Sequence, residues 1–255
     1  MMRSIQKDLL TVQIFETRAD MGQFAAADIK TCILSLLEGK DTVNMIFAAA
    51  PSQNEVLAAL VADADIPWNR VNAFHMDEYV GLSPDAPQGF GNFLKEHIFG
   101  LVPFRSIHYI DISAPDAEAE CARYAALLQQ YPTDIVVMGI GENGHIAFND
   151  PPVADFSDPL AVKPVALDDI CRNQQVHDGC FAHIDEVPKT AITLTVPTLF
   201  AGKHLFCIVP AKTKALAVCT TLTDGISERC PATILRRHPS AVLYLDGDSS
   251  ALLDI

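Results

Sequence analysis

Short apolar runs alternate with helix-like segments along most of this chain, and that alternation admits few folds. Residues 43–50, 135–138, 205–209 and 241–245 are such runs, and residues 68–76 hold another. The Ile-Val-Val-Met run at 135–138 has no polar interruption, as expected of a strand buried on both faces. Helical spacing fills the intervals. Within residues 18–37, Met21, Ala25, Ile29, Ile33 and Leu36 fall roughly on one side. Residues 54–62, 116–130 and 213–222 also read as helices, and residues 191–196 alternate as a strand does. Strands alternating with helices imply parallel pairing through crossover connections. The expected fold is α/β: one domain over residues 1–255, built on a doubly wound, mostly parallel sheet in a three-layer sandwich. Residues 151–189 are polar, Asp-rich and weakly periodic. That is long for a structureless loop, so the stretch is expected to be partly helical or a lid.

Charge and composition narrow the function. The 255 residues carry a formal net charge of -14. Nucleic-acid binding needs clustered Lys and Arg to neutralise phosphates, so no nucleic-acid partner is expected. No apolar run approaches the ~20 residues of a membrane span, and residues 1–8 lack a secretory apolar core. Seven cysteines stand singly, with no Cys-x-x-Cys pair. Neither a metal site nor a disulfide framework is expected, and a reducing, cytoplasmic setting fits.

Two segments carry the chemistry. Phe74-His75-Met76-Asp77-Glu78-Tyr79-Val80-Gly81-Leu82 and Gly139-Ile140-Gly141-Glu142-Asn143-Gly144-His145-Ile146-Ala147-Phe148-Asn149-Asp150 each follow an apolar run. In a parallel sheet this places acids, imidazole and amide at the carboxyl ends of strands, where open α/β folds bind ligands. Such groups suit proton transfer on a small polar molecule. The glycine spacing in the second segment is not read as a dinucleotide fingerprint. Pro151 and Pro152 stop any long helix there, and no acidic ribose-binding residue stands at the usual distance.

These two segments resemble the signature stretches of the glucosamine-6-phosphate deaminases, a family that shares a fold group with the 6-phosphogluconolactonases. The likeness extends to Val187-Pro188-Lys189 and Lys212-Thr213-Lys214-Ala215-Leu216. It implies a Rossmann-like sandwich, no cofactor, and a small phosphorylated aminosugar as substrate, and it leaves homo-oligomer formation open. The family reaction isomerises and deaminates glucosamine 6-phosphate to fructose 6-phosphate and ammonia. On this resemblance Asp77 matches the base that takes the C2 proton and His145 the ring-opening acid/base. Asn143 and Asp150 match the groups that orient the imidazole. The family usually has Glu at the last of these positions, one methylene longer than Asp. Lys214 matches the phosphate lysine, and Arg172 lies in the region from which the family draws an arginine.

Each assignment has a plainer competitor. Asp77 would serve equally as a cap for the turn after its strand, and Asn143 and Asp150 as turn closers. Glu78 is expected to play a supporting or structural part. The loop equivalent to the family's Gly- and Thr-rich phosphate loop, residues 48–55, has no glycine. Ser52, Gln53 and Asn54 are its candidate anion donors. Ser52 with Glu55 three residues on also reads as a capping box. The alternatives to the deaminase are a 6-phosphogluconolactonase-type hydrolase, a galactosamine-6-phosphate isomerase, and a catalytically silent phosphosugar sensor. The sensor is disfavoured because the chain shows no helix-turn-helix ahead of its first predicted strand.

Overall fold

Each apolar run read above becomes a strand of one sheet in the computed structural model, which describes residues 3–114 and 116–254. A hairpin opens the chain: β1 (Arg3–Lys7) pairs antiparallel with β2 (Leu10–Ile14). Then come α1 (Arg18–Gly39), β3 (Val43–Phe47), α2 (Asn54–Ala62), β4 (Val71–His75) and β5 (Asp77–Tyr79). α3 (Phe90–Leu94), β6 (Ser106–His108), α4 (Ala117–Gln130) and β7 (Ile135–Met138) follow. The remainder is β8 (Val162–Ala166), α5 (Asp169–His177), β9 (Thr190–Leu194), α6 (Val196–Phe200), β10 (His204–Val209), α7 (Ala215–Thr223) and β11 (Ala241–Leu245).

The main sheet has the order β1-β2-β11-β10-β7-β3-β4-β6. Every pairing in it is parallel except that of β1 with β2. From β3 the chain winds outward through β4 to β6. It then returns to β7 on the other side of β3 and winds outward again through β10 to β11. The winding therefore reverses between β3 and β7, a topological switch point where the loops diverge and leave a crevice.

Alternate residues of each inner strand feed two cores, as the two-residue period requires. Ile135 and Val137 pack with α1, α2 and α3, whereas Val136 and Met138 pack with α4, α6 and α7. This is the expected three-layer sandwich. All residues of β3, β4 and β7 are buried. At the amino ends of the strands, fully buried Asp134 accepts from Lys40 at 2.5 Å, Lys203 at 3.0 Å and the Asn44 N–H at 2.9 Å. That ion cluster ties the strands together at the end away from the crevice.

Several expectations shift. Residues 48–50 are loop rather than strand, and a 3-10 turn at Trp68–Arg70 precedes β4. Two strands stand ahead of the first one expected. Residues 151–189 contain both a strand, β8, and a helix, α5. β8 joins β9 and β5 in a separate antiparallel sheet of order β5-β9-β8.

Candidate active site

Four neighbouring strands deliver loops to one crevice. β3 leads into residues 48–53, β4 into Met76 and Asp77, β7 into residues 139–148, and β10 into residues 210–214, and residues of all four line the cleft. It measures about 840 Å³ including its open mouth.

Asp77 reaches it because the chain leaves the main sheet after His75. The break is held by hydrogen bonds. The His75 imidazole is fully buried; its Nδ1 lies 2.9 Å from the Asp77 carbonyl, and its Nε2 accepts from the Ile110 N–H at 2.9 Å. Nε2 accepts, so Nδ1 carries the proton and donates. Burial pulls this imidazole down to a pKa of about 4, which keeps it neutral at working pH. Beyond it, Asp77 pairs in register with Thr193 of β9, whose hydroxyl accepts from the Phe148 N–H at 3.1 Å. The small sheet thus links the Asp77 backbone to the His145 loop.

The Asp77 carboxyl itself receives no hydrogen bond from any described residue. It is 7% exposed, and burial, with the neighbouring Glu78 charge, raises its pKa well above the ordinary carboxylate range. Glu78 does the capping that Asp77 does not. Its carboxylate accepts from the N–H groups of Tyr79, Phe90 and Gly91 at 2.7–3.0 Å, fastening the start of α3. Burial still leaves Glu78 raised, although those three hydrogen bonds oppose it.

In the same cleft, His145 is held by the two residues expected to orient it. Nδ1 lies 2.8 Å from Asn143 Oδ1 and 2.9 Å from Asp150 Oδ1. Asn143 Nδ2 donates to the same Asp150 oxygen at 2.9 Å, which fixes the amide orientation, and Asn143 Oδ1 also accepts from the His145 N–H. Both neighbours of Nδ1 are acceptors, so Nδ1 carries a proton and Nε2 is left for chemistry. The shorter Asp150 therefore reaches. It is almost fully buried. Burial alone would raise its pKa, but the hydrogen bond and charge of His145, with Asn143 and Cys171, bring it below the ordinary value. The imidazole lies directly over Gly141: a Cβ there would fall inside 3.0 Å of ring atoms Cε1, Nδ1 and Nε2. Gly144 turns the loop at φ +81°, a conformation that favours glycine.

The cleft lining also holds two cations, Arg18 and Lys214. Lys214 closes a 3-10 turn, Lys212–Lys214, ahead of α7 and is 5% exposed, and its ammonium makes no hydrogen bond or ion pair to any described residue. Burial pulls its ammonium pKa down, against the attraction of Asp178, Glu142 and Cys171. Ser52 and Gln53 line the same cleft, and Gln53 Nε2 donates to Ser52 Oγ at 3.0 Å and to the Ile208 carbonyl at 3.2 Å. The capping box does not form. Glu55 instead meets Arg18 at 2.6 Å, and the Arg18 guanidinium also donates to the Pro51 carbonyl.

Two expected ligands are not brought in. Asn54 opens α2 outside the cleft lining. Arg172 turns away: its NH2 donates to the carbonyls of Ile184 and Val187 at 2.6 and 3.1 Å, and NH1 pairs with Asp169. Those carbonyls belong to the tight turn after α5, and the NH2 end of the guanidinium is spent on satisfying them. Sequence reasoning missed Arg18, which lines the cleft from the start of α1, and missed Gln174, Gln175 and Asp178, which line it from α5 and its end. Only the helical spacing of α1 and the polar run of α5 hinted at either.

Comparisons with known proteins point to one family. The family of glucosamine-6-phosphate isomerases and 6-phosphogluconolactonases matches over residues 16–162. The glucosamine-6-phosphate deaminase of Lactobacillus delbrueckii subsp. bulgaricus is 32% identical over 218 residues, covering 85% of this chain and 89% of that protein. That of Listeria innocua is 32% identical over 211 residues, covering 83% and 88%. Among solved structures, a monomeric glucosamine-6-phosphate deaminase superposes with a TM-score of 0.86 at 28% identity, over 95% of this chain and 99% of the other. A 6-phosphogluconolactonase from Thermotoga maritima, at 22% identity and TM-score 0.75 over 93% and 99% of the two chains, shares the fold. The chain belongs to the glucosamine-6-phosphate isomerase/6-phosphogluconolactonase family.

Proposed function

We propose that this protein is an isomerising deaminase that converts glucosamine 6-phosphate and water to fructose 6-phosphate and ammonia. The observation that carries the reading is the presence of two groups in one cleft: a buried Asp77 carboxyl, and an imidazole whose Nδ1 is tied down, with the carboxyl and the imidazole Nε2 both unpartnered among the described residues. His145 Nε2 takes the proton of the anomeric hydroxyl and returns it to the ring oxygen, opening the sugar. Asp77 takes the C2 proton, giving the enolamine, and passes it to C1. The ketose imine so formed adds water at C2 and expels ammonia. A carboxyl of raised pKa holds the abstracted proton better than an ordinary one and so suits removal from carbon.

The phosphate is assigned to Lys214, with the Ser52 and Gln53 loop and the Arg18 guanidinium around it. A buried ammonium with no protein partner is costly unless an anion completes it. Residues 151–189 are read as the cover of the cleft, supported by the α5 residues in its lining. A cytoplasmic setting fits seven cysteines that are all free. Among the described residues no helix is long and apolar enough to cross a membrane.

Ammonia release on adding glucosamine 6-phosphate tests the proposal, with galactosamine 6-phosphate alongside to assign the sugar. Acid production from 6-phosphogluconolactone with no ammonia would instead make the protein a lactonase. Binding of the aminosugar phosphate without turnover would make it a sensor.

A further inference from the structure

Among the described residues Asp8, Ala147 and Ala211 are non-glycine residues with positive φ. Asp8 at φ 51° and Ala147 at φ 50° sit in the small left-handed well. Ala211 does not: at φ 83° and ψ 146° it occupies a region that essentially only glycine visits without strain. Strain of this kind persists only where the surroundings over-determine it, and it gathers at working sites. Ala211 lines the cleft.

What holds it is a carboxylate from the neighbouring strand. The Ala211 N–H is directed at both oxygens of Asp246, at 3.3 and 3.1 Å. Asp246 follows β11 and is 4% exposed. It is itself fixed, because its Oδ1 accepts from the Ser249 N–H at 2.7 Å and its own N–H donates to Ser249 Oγ at 3.1 Å. On the other side, the Ala211 carbonyl accepts from the Lys214 N–H at 3.1 Å, closing the 3-10 turn that carries the lysine into the cleft. Two hydrogen-bonded links therefore run from Asp246 through Ala211 to the backbone of Lys214.

We propose that Asp246 is a positioning residue for anion binding: it clamps the strained Ala211 turn and so fixes where the Lys214 ammonium meets the substrate's phosphate. The inference rests on the reading of Lys214 as the anion-binding group. Without the clamp, Ala211 relaxes to negative φ, the turn that follows it re-aims, and the lysine loses its register. Glycine at position 211 populates positive φ at no steric cost and so needs no clamp.

The test is a double-mutant cycle read by two constants, KM for glucosamine 6-phosphate and Ki for inorganic phosphate as a competitive inhibitor. Asp246→Ala is expected to raise both by about 10-fold or more, the scale of a misplaced charge-assisted hydrogen bond, with kcat changed less. Adding Ala211→Gly is expected to recover most of that loss when measured against the Ala211→Gly single variant, the fourth corner of the cycle. If Asp246→Ala does not fold, the same cycle is run with Asp246→Asn, which keeps one acceptor and gives a smaller loss with the same recovery. Strict additivity of the two substitutions overturns the proposal, as does a loss confined to kcat with an unchanged phosphate Ki. A phosphate Ki that Lys214→Ala leaves unchanged overturns the anion-site reading beneath it, and this inference with it.

Discussion

Gly141→Ala is the smallest change that should disable the proposed proton relay. Its new Cβ would stand inside 3.0 Å of three atoms of the His145 ring, more than about 1 Å closer than van der Waals contact allows. The loop cannot easily absorb the clash. The Gly141 N–H donates to the His145 carbonyl at 2.9 Å, and the Gly144 N–H donates back to the Gly141 carbonyl at 3.0 Å. The ring must therefore move, and its bonds of 2.8 and 2.9 Å to Asn143 and Asp150 break. A misplacement of ~1 Å costs about 10²-fold in rate, and full loss of a general acid/base costs ~10²–10⁴-fold. The expected fall in ammonia release is in that range, with far-UV circular dichroism unchanged. In the Gly141→Ala background, His145→Ala should cost little more, because one relay is already disabled. Activity of Gly141→Ala within about 3-fold of wild type would mean that the ring does not work from this position. Multiplicative losses in the double variant would mean that Gly141 acts through something other than His145.

Asp77→Asn should abolish turnover and yet raise Tm at pH 7. Asp77 is a carboxyl whose folded pKa is raised, so the folded state holds more protons than the unfolded one between the two pKa values, and stability falls as pH rises through that window. The gain in Tm should disappear as pH drops toward the ordinary carboxylate value near ~3.9, and a variant no more stable at pH 7 would contradict the burial argument. Lys214→Ala should lower kcat/KM by ~10–150-fold, chiefly through KM, measured by initial rates across substrate concentration. Arg172→Met should instead leave KM within about 3-fold and lower stability by ~1–3 kcal/mol, because it strips donors from the Ile184 and Val187 carbonyls; denaturant unfolding with parallel kinetics separates the two.

The parallel sheet was legible because its inner strands are buried on both faces and so read as unbroken apolar runs. The hairpin of β1 and β2 was not, since much of it is exposed and carries no such run. The short β5 was hidden inside a motif read for its chemistry. At the site, legibility followed spacing along the chain. His145, Asn143 and Asp150 lie within eight residues, and the loop that brings them together is local. Arg18, Gln174 and Thr193 reach the cleft or its frame only through tertiary packing, which no local pattern encodes. Arg172 shows the converse: its residue type and neighbourhood suited an anion ligand, but two carbonyls of the turn after α5 claimed its NH2 donors. Glu78 shows how adjacent carboxylates divide their tasks. On extended backbone Asp77 and Glu78 point to opposite sides, so one faces the cleft and the other caps α3.

Exchange of the C2 hydrogen tests the central claim most directly. Wild-type protein in deuterium oxide, with glucosamine 6-phosphate and followed by proton magnetic resonance, should show exchange at C2 or transfer of that hydrogen to C1 of the fructose 6-phosphate formed. Asp77→Asn should show neither, because the amide has no basic lone pair to take the proton. Retained exchange or transfer in Asp77→Asn at near wild-type rate would contradict the account, and the base would then have to be sought elsewhere in the cleft.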